Sequence, residues 1–405
     1  MVMIFMLFFI ISLINVYQKK DFLHPLLLFN APFLIQYIVY CVFYSKQYPI
    51  TLNLTILYFG SITLFNVMFL FFQNFFCKYM KSTLNDQIIY ITNFTEFVAK
   101  CVGIFGVIAI LYDIYIVAGH NLSFSNIYQS MRISINYGQG VSFIAKYFPV
   151  FFEVYYACYL YNGSINKCYF ENKKRFVLYT IVFIFFTIST FNRTNIIMSL
   201  FVFSYVFLYF KRNQYFSSVK KFLKIILIGL LAIIGILIVF IWISKATFKM
   251  GSFDITSGEF FLWKYFGYPI VILQNRIMQL PNISHGYFLL GPFGELLRDD
   301  HFLSYLPQVG TFNVFTYLGR IYLDVGLLNC LLIQIVLSAL VAFLYVKNIK
   351  RGKFYTIFFA FYEYVIFMSF YDYQYSLTIY IYILLCFIFI KFLNHFTIGR
   401  KRRKD

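Results

Sequence analysis

The run Ile225–Ile243 reads IILIGLLAIIGILIVFIWI and holds no charged, amide or hydroxyl side chain in 19 residues. A helix rises about 1.5 Å per residue, so this run spans about 28 Å, close to the roughly 30 Å of bilayer hydrocarbon. A strand of a membrane barrel would alternate polar with apolar residues over about ten positions, and this run does not. It reads as a transmembrane helix. Comparable runs fall near 2–16, 24–43, 51–73, 99–118, 143–160, 176–190, 195–210, 225–244, 321–346, 354–371 and 375–392. The expected fold is therefore an all-α polytopic membrane protein of about eleven transmembrane helices, with a long outer loop carrying interfacial helices.

Composition agrees with that reading. Of 405 residues 61% are hydrophobic and only 12% charged, so a water-soluble exterior cannot be built. A soluble enzyme, a disordered tail and a collagen-like chain are excluded. Met1–Val16 lacks a basic leader region and a small-residue cleavage site, and is read as a retained first span. The formal charge of +19 would suggest nucleic acid in a soluble chain. Here the basic residues cluster between apolar runs, at Lys19–Lys20, Lys78–Lys81, Lys167–Arg175, Lys211–Lys224, Lys347–Lys353 and Lys391–Lys404. These clusters hold 23 of the 34 Lys and Arg and alternate strictly with basic-poor connections. The positive-inside rule then places the N-terminus outside and the C-terminus in the cytoplasm, which needs an odd number of spans. No nucleic-acid partner is expected.

None of the seven cysteines falls in an outer connection, so no exported disulfide framework is expected. No CxxC or Cys/His cluster has metal spacing, and no metal or cofactor is expected. The phosphate loop GxxxxGK[ST], GxGxxG, HExxH and GxSxG are all missing.

The polar chemistry concentrates in one place. The chain divides into a first helical group at 1–244, a large outer loop at 245–311, three last helices at 312–392 and a basic tail at 393–405. The loop carries five of the 15 acidic residues, Asp254, Glu259, Glu295, Asp299 and Asp300, with Lys245, Lys249, Lys264, Arg276, Arg298, His285 and His301. Glu259–Met278 is apolar enough for a helix lying in the membrane interface. Three more arginines stand where the positive-inside rule does not want them: Arg132 in MRISINYGQG (131–140), Arg193 in TFNRTN (190–195) and Arg320 in GTFNVFTYLGRIYLDVG (310–326). A guanidinium offers a fixed charge and a planar fork of donors suited to phosphate. The bland alternative is that each snorkels to the interface or pairs with a carboxylate. Glu153 and Glu363 fall within predicted helices, and Asp113 and Asp324 toward outer ends; such carboxylates line cavities or pair.

Asn313-Val-Phe-Thr316 followed by Tyr322-Leu-Asp324-Val-Gly326 is similar to the Asn-x-x-Thr…Asp-x-Gly pattern opening a late helix in bacterial oligosaccharide repeat-unit polymerases, the O-antigen or capsule polymerases of the Wzy type. Asn192-Arg193-Thr194 resembles that family's Arg-Thr turn, and Arg132 with Gly138 and Gly140 its earlier outer loop. Some members carry spaced Arg…Gly motifs in two outer loops; the matching places here hold Phe143 and Val309. Related O-antigen ligases have a His–Asn pair where this chain reads Phe312-Asn313, so no catalytic His is carried over.

The resemblance implies a bacterial inner-membrane glycosyltransferase that joins lipid-linked repeat units at the outer leaflet. Donor and acceptor would both be oligosaccharides on undecaprenyl pyrophosphate, with a chain-length regulator protein as a further partner. Leaving pyrophosphate needs preorganised cations, for which Arg132, Arg193, Arg276, Arg298 and Arg320 are candidates. The acceptor hydroxyl needs a base, for which His301, Asp299, Glu295 and Asp324 are candidates, the first two leading because they adjoin Arg298. Asn313, Thr316 and Tyr322 are candidate substrate contacts. A lipid-linked oligosaccharide flippase or other transporter and an O-antigen ligase are the alternatives. A transporter would place its conspicuous charges at mid-membrane.

Overall fold

The computed structural model describes residues 2–82, 88–119, 142–166, 170–189, 196–205, 258–275, 316–371 and 378–402, with isolated positions between them, Met278 and Leu289 included. Those residues form helices and no strand. In chain order these are α1 (Val2–Lys19), α2 (Pro25–Phe43), α3 (Leu52–Tyr79), α4 (Asn93–Ala118), α5 (Phe143–Ile165), α6 (Lys173–Ser189), α7 (Ile196–Tyr205), α8 (Gly258–Asn275), α9 (Thr316–Arg351), α10 (Phe354–Met368) and α11 (Thr378–Arg402). Four of them, α2, α3, α4 and α9, are long and apolar enough to cross a membrane, and α1, α7, α10 and α11 contain shorter apolar helices. Ten of the eleven apolar runs coincide with described helices. The eleventh, 225–244, lies outside the described residues.

Helix starts follow local chemistry. Thr51, Thr92 and Ser142 each accept a backbone N–H from three residues ahead, at Leu54, Thr95 and Ala145, which satisfies an otherwise orphaned donor. Pro25 opens α2 at a position where a missing N–H costs nothing. In α3 the residues Ile56–Gly60 form a π-helical turn, and α9 is broken at Gly326.

The chain divides into two compact units. The first contains α1, α2, α3, α8, α9 and residues 362–380. Its helix seams are held by polar side chains, because lipid gives apolar helices little reason to prefer one another. Asn30 on α2 donates to Ser12 on α1 (2.8 Å) and to Asn66 on α3 (2.6 Å), and Asn66 donates back to Asn30 (2.9 Å). Phe29 and Phe65 stack beside that network with centroids 4.0 Å apart. At one end Lys350, late in α9, donates to the carbonyls of Cys77 and Met80 at the end of α3, and His24 packs edge-on against Tyr345. At the other end Gln274 of α8 donates to Pro49 O (2.9 Å) and accepts from Thr51 N (3.0 Å).

The second unit contains α4–α7, residues 352–361 and the chain from 381 onward. Asn394 on α11 donates to Tyr90 O (2.6 Å) and accepts from Thr92 N (3.1 Å) and Thr95 Oγ1 (2.7 Å), and Arg175 forks to both oxygens of Glu96 at 3.1 Å. Asp113 accepts from the N–H (2.8 Å) and hydroxyl (3.0 Å) of Ser142, so it ties α4 to the start of α5 and pairs structurally. Gly106 lets α6 approach closely: a Cβ there would stand 2.8 Å from the Phe186 ring.

His24, just ahead of α2, supplies a pH-dependent element. Its Nδ1 accepts from Leu26 N at 3.3 Å. Burial, reinforced by the charge of Lys19, holds its imidazole at about 3 in place of 6.5. The ring is thus neutral when folded, while the unfolded chain takes a proton as pH falls below 6.5. Its contribution is complete above that value and shrinks as pH falls toward 3, by up to about 1.4 kcal/mol per pH unit. His24→Asn, which keeps a capping acceptor, is expected to flatten the fall of melting temperature across this window. Equal slopes for both proteins would exclude His24 as the titrating group.

Candidate functional site

The first ten residues of α9 carry four of the sequence candidates, Thr316, Arg320, Tyr322 and Asp324. The apolar run starting at 321 hides a discontinuity: Gly326 has φ 74° and ψ −175°, a region that side chains with a Cβ essentially avoid. The helix is therefore two pieces, a short entry segment through Val325 and a long one from Leu327 to Arg351. The predicted span, 321–346, runs across the break, and the four candidate residues all precede Gly326.

The entry segment is pinned on several sides within the first unit. Tyr317 N donates to Ser369 O at 3.0 Å, just past the end of α10, while the Tyr317 hydroxyl donates to Gln334 beyond the break at 2.6 Å. Gln36 on α2 donates to the neighbouring carbonyl of Phe370 at 2.7 Å and accepts from the Tyr58 hydroxyl of the π-helical turn at 2.7 Å. Phe370 in turn stacks on Phe266 of α8, with centroids 5.1 Å apart and planes within 8°. These contacts assemble α2, the start of α3, α8 and the residues after α10 around the opening of α9.

Two contacts reach into the long polar segment. Asp324 is buried and its Oδ2 accepts from Leu289 N at 2.7 Å, and the Tyr322 hydroxyl donates to Met278 O at 3.3 Å. Asp324 thus holds the backbone amide of Leu289. Thr316 opens the helix with φ 40°, and its buried Oγ1 has no hydrogen-bond partner among the described residues. A strained residue with an unanswered hydroxyl at a helix N-terminus is an unusual way to spend stability. Arg320 sits one turn further on and is half-buried. A helix N-terminus and a hydroxyl without a partner are each suited to an anion.

The remaining candidates, Arg132, Arg193, Arg276, Arg298, Asp299, His301 and Asn313, with Glu295, lie outside the described residues. The helix expected over Glu259–Met278 forms as α8. In its second half Gly267 and Ile270–Leu273 are buried and pack within the first unit. A Cβ on Gly267 would come within 2.7 Å of the Tyr44 ring, which forces the close crossing over α2.

The sequence reading did not single out Gln36, Gln274 or Ser369. A signal existed for the first: a lone amide within an apolar run costs free energy unless it finds a partner. Among the described residues no group of three or more His, Cys, Asp and Glu could hold a metal ion. Comparison with protein-family models, with curated proteins and with solved structures finds no match for this chain.

Proposed function

We propose that the chain is a polymerase of lipid-linked oligosaccharide repeat units, working at the outer face of the bacterial inner membrane with its N-terminus outside. The observation that supports the reading is the broken opening of α9, where Thr316 and Arg320 stand one turn apart at a helix N-terminus and Asp324 and Tyr322 bond to the backbone of Leu289 and Met278. In the reaction the acceptor hydroxyl oxygen bonds to the donor's anomeric carbon. The bond from that carbon to the pyrophosphate oxygen breaks, and its electron pair stays with the lipid pyrophosphate. Arg320 and the helix N-terminus neutralise the growing charge, with Arg132, Arg193, Arg276 and Arg298 as the other proposed cations. The hydroxyl proton passes to a base on the long segment, Asp299 or His301. No step in this scheme requires a metal.

Glu363, completely buried in α10, favours a transporter as the second reading, since transporters carry intramembrane acids. Deleting the gene in its host and separating surface polysaccharide on a gel distinguishes the two. Single repeat units on the lipid core indicate lost polymerisation; complete absence of repeats indicates lost export or ligation.

The orientation has its own test. Gln47 and Ser82 are exposed beyond opposite ends of α3. A cysteine at Gln47 is expected to react with a membrane-impermeant thiol reagent in intact spheroplasts, and one at Ser82 only after the membrane is opened. The reverse pattern would invert the proposed topology.

A further inference from the structure

At the end of α9 opposite its broken opening, the helix seam itself fixes a set of cations. α3 and α9 pack against each other and both finish here, at Tyr79 and Arg351. Lys350 donates to the carbonyls of Cys77 and Met80 and so caps the end of α3. One turn earlier on α9, the Lys347 ammonium stands 4.5 Å above the Phe343 ring, and that ring meets Phe76 of α3 edge-on at 5.6 Å. Lys78 lies in the chain between the two carbonyls that Lys350 holds, with its ammonium 5.6 Å from the Tyr79 ring. Lys78 and Lys350 form no ion pair among the described residues. In the turn between α1 and α2, which His24 joins to Tyr345, Asp21 accepts from Leu23 N at 3.1 Å beside exposed Lys19 and Lys20. This end therefore carries a surplus of positive charge.

Below the cations both helices turn apolar side chains outward. On α3 Phe71, Phe75 and Tyr79 recur at four-residue spacing and are exposed, and on α9 Leu332, Val336 and Leu340 do the same. The α9 stripe continues through Phe343 to Lys347, so an apolar ridge of about 22 Å ends in an ammonium. The positive-inside rule accounts for lysines at this end, but it is met equally by lysines that float in the headgroup layer. It does not call for ammonium groups seated on the rings and carbonyls of a helix seam. A basic pocket between helices above an apolar stripe is complementary to a molecule with acyl chains and an anionic head. A soluble phosphate would leave the stripes unused, and a zwitterionic lipid would bring its own ammonium against Lys78 and Lys347.

We propose that the α3–α9 seam binds an anionic glycerophospholipid of the bilayer, its phosphate held by Lys78 and Lys347 and its acyl chains lying along the Phe71–Tyr79 and Leu332–Phe343 faces. Lys350 stays with the α3 carbonyls and fixes the seam that the lipid bridges. In the proposed orientation this lipid belongs to the cytoplasmic leaflet. The site lies at the other end of α9 from the polymerisation chemistry and stands whether or not that reading holds.

The test is lipid titration of the detergent-purified protein, read by native mass spectrometry and by melting temperature. Phosphatidylglycerol is expected to remain bound and to raise the melting temperature. Phosphatidylethanolamine with the same acyl chains is expected to do so far less, and inorganic phosphate not at all. Removing both charges, in Lys78→Gln with Lys347→Gln, is expected to weaken phosphatidylglycerol binding about ten- to thirty-fold. The control removes two charges elsewhere, in Lys173→Gln with Lys174→Gln, both exposed at the start of α6, and is expected to leave binding unchanged. Equal losses in the two double variants would reduce the effect to general charge attraction and overturn the proposal. Equal binding of the two lipids, or equal stabilisation by inorganic phosphate, would overturn it as well. Should the Lys78, Lys347 variant fail to fold, phosphatidylglycerol carrying a photoreactive diazirine in one acyl chain reads the site in the wild type. Labelling is expected within Phe71–Tyr79 and Leu332–Phe343, and labelling spread evenly onto the exposed faces of α1 and α4 would show that no such site exists.

Discussion

Gly326→Ala is expected to destabilise the protein by about 1–3 kcal/mol, the cost of forcing a Cβ into a backbone region reserved for glycine. At φ 74° and ψ −175° the residue interrupts α9, and the chain on either side is helical. Alanine has two responses. It keeps the break and stores the strain, or it straightens the helix and swings the entry segment away from its anchors. The second response would cost Tyr317 its bond to Ser369 O and Asp324 its bond to Leu289 N. Activity is therefore expected to fall further than stability does. The measurements are the melting temperature in detergent and the polysaccharide made at matched membrane abundance, with Leu328→Ala as control because Leu328 is exposed two residues on. An unchanged melting temperature with full polymer would mean that the break serves neither fold nor site.

The same glycine shows where sequence reading stopped. An apolar run advertises a helix through the cost of unpaired backbone in lipid, so ten of the eleven runs reappear as described helices. Contacts within each unit join helix ends that lie far apart in the sequence, as with Lys350 on Cys77 and Asn394 on Thr92, and no hydropathy pattern announces them. Hydropathy does not register a break of one residue either, since a glycine inside an apolar run leaves it almost unchanged. Asp324 was legible as a polar residue at a helix opening, but its partner Leu289 was not: backbone amides carry no sequence label. Glu363 was legible as an intramembrane acid. That its oxygens meet no hydrogen-bond partner among the described residues was not, because absence of a partner is a property of the packed structure.

Arg320→Lys is expected to reduce polymer formation roughly ten- to a hundred-fold if the guanidinium holds pyrophosphate through a forked pair of hydrogen bonds. Lysine keeps the charge and loses the fork, and one charge-assisted contact contributes about 1.5–3 kcal/mol. A residue that merely snorkels would tolerate the change, since an ammonium reaches the same headgroup layer. The surroundings sharpen the expectation. Arg320 stands in an entry segment fixed by Tyr317, Tyr322 and Asp324, so the shorter, more mobile lysine cation cannot recover geometry by moving its backbone. Asp324 separates anchoring from proton transfer within the same segment. Asp324→Asn retains an oxygen to accept from Leu289 N and is expected to keep most activity, whereas Asp324→Ala releases the long segment and loses it. Equal loss in both variants would make Asp324 the base in place of Asp299 or His301. Polymer made at matched abundance by the three variants decides both questions, and wild-type product from Arg320→Lys would remove Arg320 from the proposed pyrophosphate site.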